Sequence, residues 1–331
     1  MRWVFACLVL VLALNGCAGP VTPSLATPRP SSAPATPFPT ETIAPPTPAA
    51  TSLPAAPTLT ATPASLLTEA GACPGATPVC ILPWPFVFRR PLDPAANNVM
   101  DPTYLYGATQ DGKREPHHGV DFPNAQGTPV LAAGDGIVVV AGNDKLALYG
   151  WVTNFYGNLV VIEHHLAGNP RTVYTLYGHL SKIIAQLGQN VHAGDKIGEV
   201  GSTGIAIGSH LHLEVRITND DYKSTRNPQL WLIPLPGSGA LAGRVVDAQG
   251  NPVHLTINFQ RLLNAQPTSL YPIETYPRES LNADDLLHEN FAVGDLDAGE
   301  YRLSFIYNRK LYEQTLRIQA GQLTLVIFHV Q

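Results

Sequence analysis

The segment SHLHLEVR at 209–216 places His210, His212, Glu214 and Arg216 at every second position, with Leu211, Leu213, Val215 and Ile217 between and after them. A period of two marks a half-buried strand, so the two imidazoles project from one face while the aliphatic residues face a core. Such a strand is a rigid way to set a metal ligand beside a base, and only one of the two histidines need touch a metal. HHGVD at 117–121 adds a nitrogen from His117 and a carboxylate from Asp121. The HxxxD spacing would also suit one face of a helix, but Pro116, Gly119 and Pro123 favour a loop running into a strand. With one imidazole of the HLH strand this makes three protein ligands. Three ligands and an open fourth position suit a catalytic zinc, whereas a structural zinc closes its tetrahedron with cysteine or histidine. Nitrogen and oxygen donors in this mixture favour zinc over calcium.

Around these residues runs an ordered set of short motifs: HHGVDF at 117–122, GTPV at 127–130, GIVVVAG at 136–142, YGN at 156–158 and VVIEH at 160–164. YTLYGHL at 174–180, VHAGDKIGEVGSTG at 191–204 and SHLHLEVR follow. In order and spacing the region from about residue 100 to 233 resembles the lysostaphin-type, or LytM-like, zinc metallopeptidases that cut peptide bonds of bacterial cell walls. The resemblance implies one Zn2+ held by His117, Asp121 and His212, with His179 and His210 as the unligated catalytic pair. All five positions match the family pattern. Zinc lowers the pKa of a bound water toward neutrality and polarises a carbonyl. No HExxH occurs in the chain, so the proton transfers fall to histidine. Which of His179 and His210 is the general base is left open.

Other residues of the region have plainer readings. His118 is expected to point away from the ligands, and His164, His165 and His192 are read as structural or exposed. Glu163 and Glu214 could orient imidazoles from behind or form surface ion pairs. Tyr174 and Tyr177 stand between facing the cleft and packing in the core. Residues 100–116 precede the ligands and could occlude the site.

The rest of the chain bounds its setting. MRWVFACLVLVLALNGC at 1–17 has one positive charge, an apolar run too short for a convincing membrane span, and LNGC at its end. It resembles a lipoprotein signal peptide, which implies acylation of Cys17 and attachment to the outer face of a bacterial membrane, toward the wall. Residues 18–72 are rich in Pro, Thr, Ala and Ser and are read as a disordered linker. Some fifty such residues would span on the order of 100–150 Å. Cys73 and Cys80, in an exported chain, are expected to form a disulfide.

Both folded parts read as all-β: an antiparallel-sheet peptidase domain at 73–236 and a small β-sandwich of about seven strands at 237–331. The second part resembles the transthyretin-like carboxypeptidase regulatory domains, which implies packing or binding of a wall or protein ligand, and no catalytic residue. It is expected to be dispensable for chemistry. The formal net charge is −5, with no Lys/Arg cluster, so nucleic acid is not an expected partner, and the LytM-like resemblance implies peptidoglycan instead. Two function classes follow: a zinc endopeptidase of peptidoglycan, favoured by the complete ligand set, or a non-catalytic wall-binding or regulatory lipoprotein that docks or activates another wall hydrolase.

Overall fold

The structure, a computed structural model, describes residue 73 and residues 77–331 apart from 278–280. The expected signal segment, the expected lipidation site Cys17 and the expected linker at 18–72 lie outside the described residues. The fold is all-β. In chain order the strands are β1 (Val79–Leu82), β2 (Val120–Pro123), β3 (Pro129–Leu131), β4 (Gly136–Asn143), β5 (Asn158–His164) and β6 (Val173–Gly178). Next come β7 (Lys182–Ile183), β8 (Asn190–Val191), β9 (Lys196–Glu199), β10 (His210–Ile217) and β11 (Thr225–Arg226). The last seven are β12 (Ser238–Val246), β13 (Thr256–Leu263), β14 (Gln266–Glu274), β15 (Phe291–Asp297), β16 (Gly299–Tyr307), β17 (Lys310–Ile318) and β18 (Leu323–His329). No helix among the described residues is long and apolar enough to cross a membrane.

The central sheet of the first part has the order β11-β10-β6-β5-β4-β8, with β2 paired to the other side of the first half of β10. Alternation sends Val138, Val160, Ile162, Tyr177, Leu211, Leu213 and Val215 to one face, where they form a core closed by the small sheet β3-β9-β7. The opposite residues Leu159, Val161 and Leu176 pack with Tyr156 on the other face. The sheet is therefore covered on both sides. This changes the reading of β10, whose eight residues are all buried, where alternation alone predicted a half-buried strand. Its polar face is closed over by aromatic residues of the loop before β5.

The C-terminal part is a sandwich of two four-stranded sheets, β1-β18-β12-β15 and β14-β13-β16-β17. Its core is built from Leu241, Val245, Ile257, Phe259, Phe291, Leu303, Phe305 and Val326. One pairing departs from the expected antiparallel pattern. β12 and β18 run parallel, since they are joined through the rest of the sandwich and no short hairpin sets their direction.

The eighth strand of the sandwich comes from the other side of the sequence. β1, expected in the peptidase domain, adds to the edge of β18, and the Cys73–Cys80 disulfide sits beside it. From there the chain crosses into the first part, where Phe88 and Leu92 enter the core behind β10. A separate apolar cluster joins the two parts: Leu82, Phe86 and Leu230 pack with Ala240, Ala242, Leu287, Ala292, Leu323 and Leu325. Arg90 pairs with Asp295, and Asp285 pairs with both Arg171 and Arg226. A cut near Pro236 thus passes through a packed junction.

Removing residues 237–331 would uncover Leu82, Phe86 and Leu230, each contributing about 1.5–3 kcal/mol when buried. The fragment ending at Pro236 is expected to melt at least ten degrees below the whole chain, or to bind an apolar dye at room temperature. Calorimetry or circular dichroism checks this. An unchanged, cooperative transition would mean that the junction adds nothing to the first part.

Candidate active site

The pairing of β2 with β10 sets Asp121 directly opposite His212. Residues opposite one another on antiparallel strands point to the same face with their β-carbons about 4.5–5.5 Å apart, within reach of a shared ion. The strands approach closely because of Gly119, where a β-carbon would lie 2.5 Å from the Leu213 carbonyl oxygen and 2.7 Å from the His212 ring. His117 enters from the turn just before. His117 Nε2 lies 3.2 Å from His212 Nδ1 and 3.4 Å from Asp121 Oδ1, and His212 Nδ1 lies 2.9 Å from Asp121 Oδ1.

Hydrogen bonds on the far side of each ring fix what these atoms offer. His117 Nδ1–H donates to the Tyr104 carbonyl at 2.6 Å, which leaves Nε2 as a lone pair. His212 Nε2–H donates to Glu214 Oε1 at 3.1 Å, which leaves Nδ1 as a lone pair. Three acceptors with separations of 2.9–3.4 Å repel one another unless a cation lies between them. Those separations also match one face of a tetrahedron with metal–ligand bonds of about 2.0–2.1 Å, whose edges are about 3.3–3.4 Å. The residues present fit a zinc ion or a metal of similar preference. Burial lowers the His212 pKa, but Asp121 and Glu214 on its two nitrogens outweigh that and raise it to about 9.

Glu214 is itself held from behind. It accepts from Tyr156 Oη at 2.5 Å and from Arg216 Nε at 2.8 Å, and Arg216 donates in turn to Asp220 at 3.0 Å. Tyr149 caps Asp220. Burial opposes ionisation of Glu214, yet Arg216 and His212 hold its pKa at about 2. Of the two readings the sequence left for Glu214, the buried orienting carboxylate is the one found. Glu163 instead pairs with the exposed His165.

His179 stands at the end of β6 with φ of 62°, a left-handed conformation that turns its ring toward His210 and His212, with ring centroids 4.8 and 5.6 Å away. Its Nδ1–H donates to the Thr203 carbonyl at 2.9 Å. His210 Nδ1–H donates to the Gly208 carbonyl at 3.2 Å, with Nε2 3.6 Å from Asp121. Burial, then the neighbouring His212 and His210, lowers the His179 pKa to about 3; burial also lowers that of His210. The structure brings all five sequence-derived residues to one cleft of about 410 Å3.

His118 turns from the ligands, stacking on Tyr222 and bonding to Thr225 Oγ1, but it still lines the cleft. His164 is buried against Thr175 and the Asp135 carbonyl, and His165 and His192 are exposed. Tyr177 bonds to the Ala133 amide inside the core, and neither it nor Tyr174 lines the cleft. Residues 101–116 form one wall of the cleft, with Tyr104 stacked on His117 at 4.2 Å. Trp151, Phe155, Ile205, Ile207 and Ser209 line it elsewhere, and these the motif reading missed. Their signal was slight: exposed apolar residues in loops next to motif residues. Ser209 Oγ is buried with no hydrogen-bond partner among the described residues.

Comparison with known proteins gives this geometry a family. Residues 115–224 match the model of peptidase family M23. The peptidoglycan DD-endopeptidase ShyA of Vibrio cholerae is 44% identical over 115 residues, 35% of this chain and 23% of that protein. The DD-carboxypeptidase/endopeptidase Mpg of Neisseria meningitidis is 39% identical over 120 residues, 36% of this chain and 24% of that protein. The chain thus spans about a quarter of the length of these curated relatives. Among solved structures, a zinc-containing peptidase from Vibrio cholerae is 35% identical, covering 40% of this chain and 37% of that one with a TM-score of 0.30. The catalytic domain of the antimicrobial peptidase lysostaphin from Staphylococcus simulans covers 34% of this chain, with a TM-score of 0.29. Residues 115–224 of the chain thus form a peptidase family M23 domain.

Proposed function

We propose that this protein is a zinc-dependent metalloendopeptidase that hydrolyses peptide bonds of bacterial peptidoglycan, in the stem peptide or the cross-bridge. The observation that carries the reading is the convergence of three lone-pair donors, His117 Nε2, Asp121 Oδ1 and His212 Nδ1, in a cleft that also holds two unligated histidines. Wall peptide as the substrate class is supported by the relatives whose names state peptidoglycan endopeptidase activity. Zinc held by these residues would supply an acidified water and polarise the scissile carbonyl.

The remaining work belongs to the chain. His179 and His210 are kept neutral by burial and each gives its Nδ1–H to a backbone carbonyl. Nε2 of either can take a proton as water attacks the carbonyl, and the imidazolium so formed, directly or by way of Nε2 of the second ring, can give that same proton to the leaving amine. Glu214 holds the His212 ring so that Nδ1 faces the site. A peptide lying in the cleft would meet Trp151, Ile205 and Ile207 as well as Arg114 and Glu115. At the N-terminus, acylated Cys17 and the proline-rich linker would tether the enzyme outside the membrane, within reach of the wall.

The direct test is release of new amino and carboxyl termini from purified sacculi by the whole protein. Cleavage should be abolished by a chelator and restored by about one equivalent of zinc. His117→Ala, Asp121→Ala and His212→Ala are each expected to lose stoichiometric zinc, measured by atomic absorption after dialysis. Full metal content in all three would show that the ion binds elsewhere.

His179→Ala and His210→Ala are expected to keep both zinc and the melting transition while kcat/KM falls by about 100-fold or more, the scale of a lost general acid or base. Turnover of a defined muropeptide measures this. Wild-type rates in both variants would remove the two histidines from the mechanism.

A further inference from the structure

We propose that Glu274, in the C-terminal sandwich, is a positioning residue for the metal ligand His117, acting through the turn at 104–112. The inference rests on the reading of His117 as a ligand and adds that the second domain builds part of the site.

The turn and His117 are joined by three hydrogen bonds. The Tyr104 carbonyl accepts from His117 Nδ1–H at 2.6 Å, the Gly107 amide donates to the His117 carbonyl at 2.8 Å, and the His117 amide donates to the Ala108 carbonyl at 3.2 Å. The Tyr104 ring also stacks on the His117 imidazole with an interplanar angle of 10°. The orientation of this ligand is therefore set by the turn as much as by its own strand.

The turn has bonds of its own, from the Gly112 amide to Thr109 Oγ1 and from the Arg114 amide to the Thr109 carbonyl, yet its tip is strained. Gln110, Asp111 and Gly112 have φ of 52°, 60° and 75°, three successive left-handed residues of which two bear side chains. Such backbone is strained where a side chain is present and persists only where its surroundings enforce it. Turn amides aimed inward by such a bend make a concavity suited to an anion. Glu274 fills it: Oε2 accepts from the Thr109 amide at 2.9 Å and the Thr109 hydroxyl at 2.6 Å, and Oε1 accepts from the Asp111 amide at 3.2 Å. Burial pushes the Glu274 pKa up, but the bonds from Thr109 and Asp111 outweigh it and hold the carboxyl below its usual value.

The sandwich supports the turn at a second point. Gly107 lies against the Tyr276 ring, where a β-carbon would come within 2.5 Å of it. Tyr106 is buried edge-on to Tyr276, and its hydroxyl donates to the Thr225 and Asn282 carbonyls. Glu274 is the last residue of β14, so its position is fixed by the sheet that carries it.

The test compares the whole chain as wild type, Glu274→Ala and Asp285→Ala, the last breaking the pairs to Arg171 and Arg226 without touching the turn. Three readouts are taken: the zinc dissociation constant by competition with a chelating dye, hydrogen exchange at the Thr109 and Asp111 amides, and the NMR signal of the His117 Nδ1 proton. Glu274→Ala is expected to lose protection at both amides, broaden the His117 proton signal and weaken zinc binding about tenfold or more. Asp285→Ala should melt earlier with these readouts unchanged. If Glu274→Ala does not fold, Glu274→Gln replaces it, with protection lost at Asp111 and a smaller fall in affinity. Wild-type affinity and an unchanged His117 signal in the folded Glu274 variant would overturn the proposal, as would an equal loss in Asp285→Ala. If the wild type binds no zinc, the ligand reading fails. The exchange and ring-proton signals then decide the positioning role alone: their loss in the Glu274 variant upholds it and their persistence overturns it.

Discussion

Glu214 and Arg216 form an ion pair with no exposure to solvent, directly behind His212, and much of the site follows from the need to close that pair on every side. Taking a carboxylate or guanidinium out of water costs several kcal/mol per ion even after relaxation, and mutual attraction offsets this only when the remaining donors and acceptors are also met. Here Glu214 accepts from Arg216, Tyr156 and His212, and Arg216 donates to Glu214, Tyr156 and Asp220. Tyr156 must therefore sit under the loop before β5. It is placed there by Asp144, whose buried carboxylate accepts from the Tyr156 and Gly157 amides at 2.9 Å. One of the bonds that satisfies Glu214 also fixes the tautomer of a metal ligand. The same contact serves stability and chemistry.

Register does the rest. A slip of one residue between β2 and β10 would turn Asp121 into the core and put Val120 or Phe122 opposite His212. The apolar residues prevent it, since Val120, Phe122, Leu211 and Leu213 are all fully buried on the other face. The ligand geometry is thus a by-product of packing on the side of the sheet that no substrate sees. His179 is the exception, because it leaves its strand in a left-handed turn and is held by the Thr203 carbonyl rather than by pairing.

What could be read in the sequence was what repeats at short range. Alternation in SHLHLEVR placed His210, His212, Glu214 and Arg216 on one face, and the ordered motifs located His117, Asp121 and His179. Burial of that polar face was not legible, because the residues that cover it, Tyr149 and Tyr156, lie some sixty residues earlier and nothing local marks them as a lid. β1 read as the start of the peptidase domain for a similar reason: a four-residue apolar strand does not say which sheet edge it will join, and its partner β18 is near the other end of the chain. The wall at 101–116 carried no periodic signal at all, and its conformation is fixed by a carboxylate more than 160 residues away.

That last distance bears on what the C-terminal sandwich does for the cleft. Loops around a cleft are usually free to vary because their backbone groups face water. In this protein the wall beside His117 has amides that face a side chain of the sandwich, and a buried tyrosine, Tyr106, whose hydroxyl and ring are met by the 225–282 region and Tyr276. The stiffness of the cleft on that side is then a property of the β14 edge and of the apolar junction around Leu82, Phe86 and Leu230 that seats the sandwich. A change that loosens the junction can reach the ligand sphere through one carboxylate, without altering any residue that touches the ion. On this account the sandwich is part of the frame that keeps His117 in place.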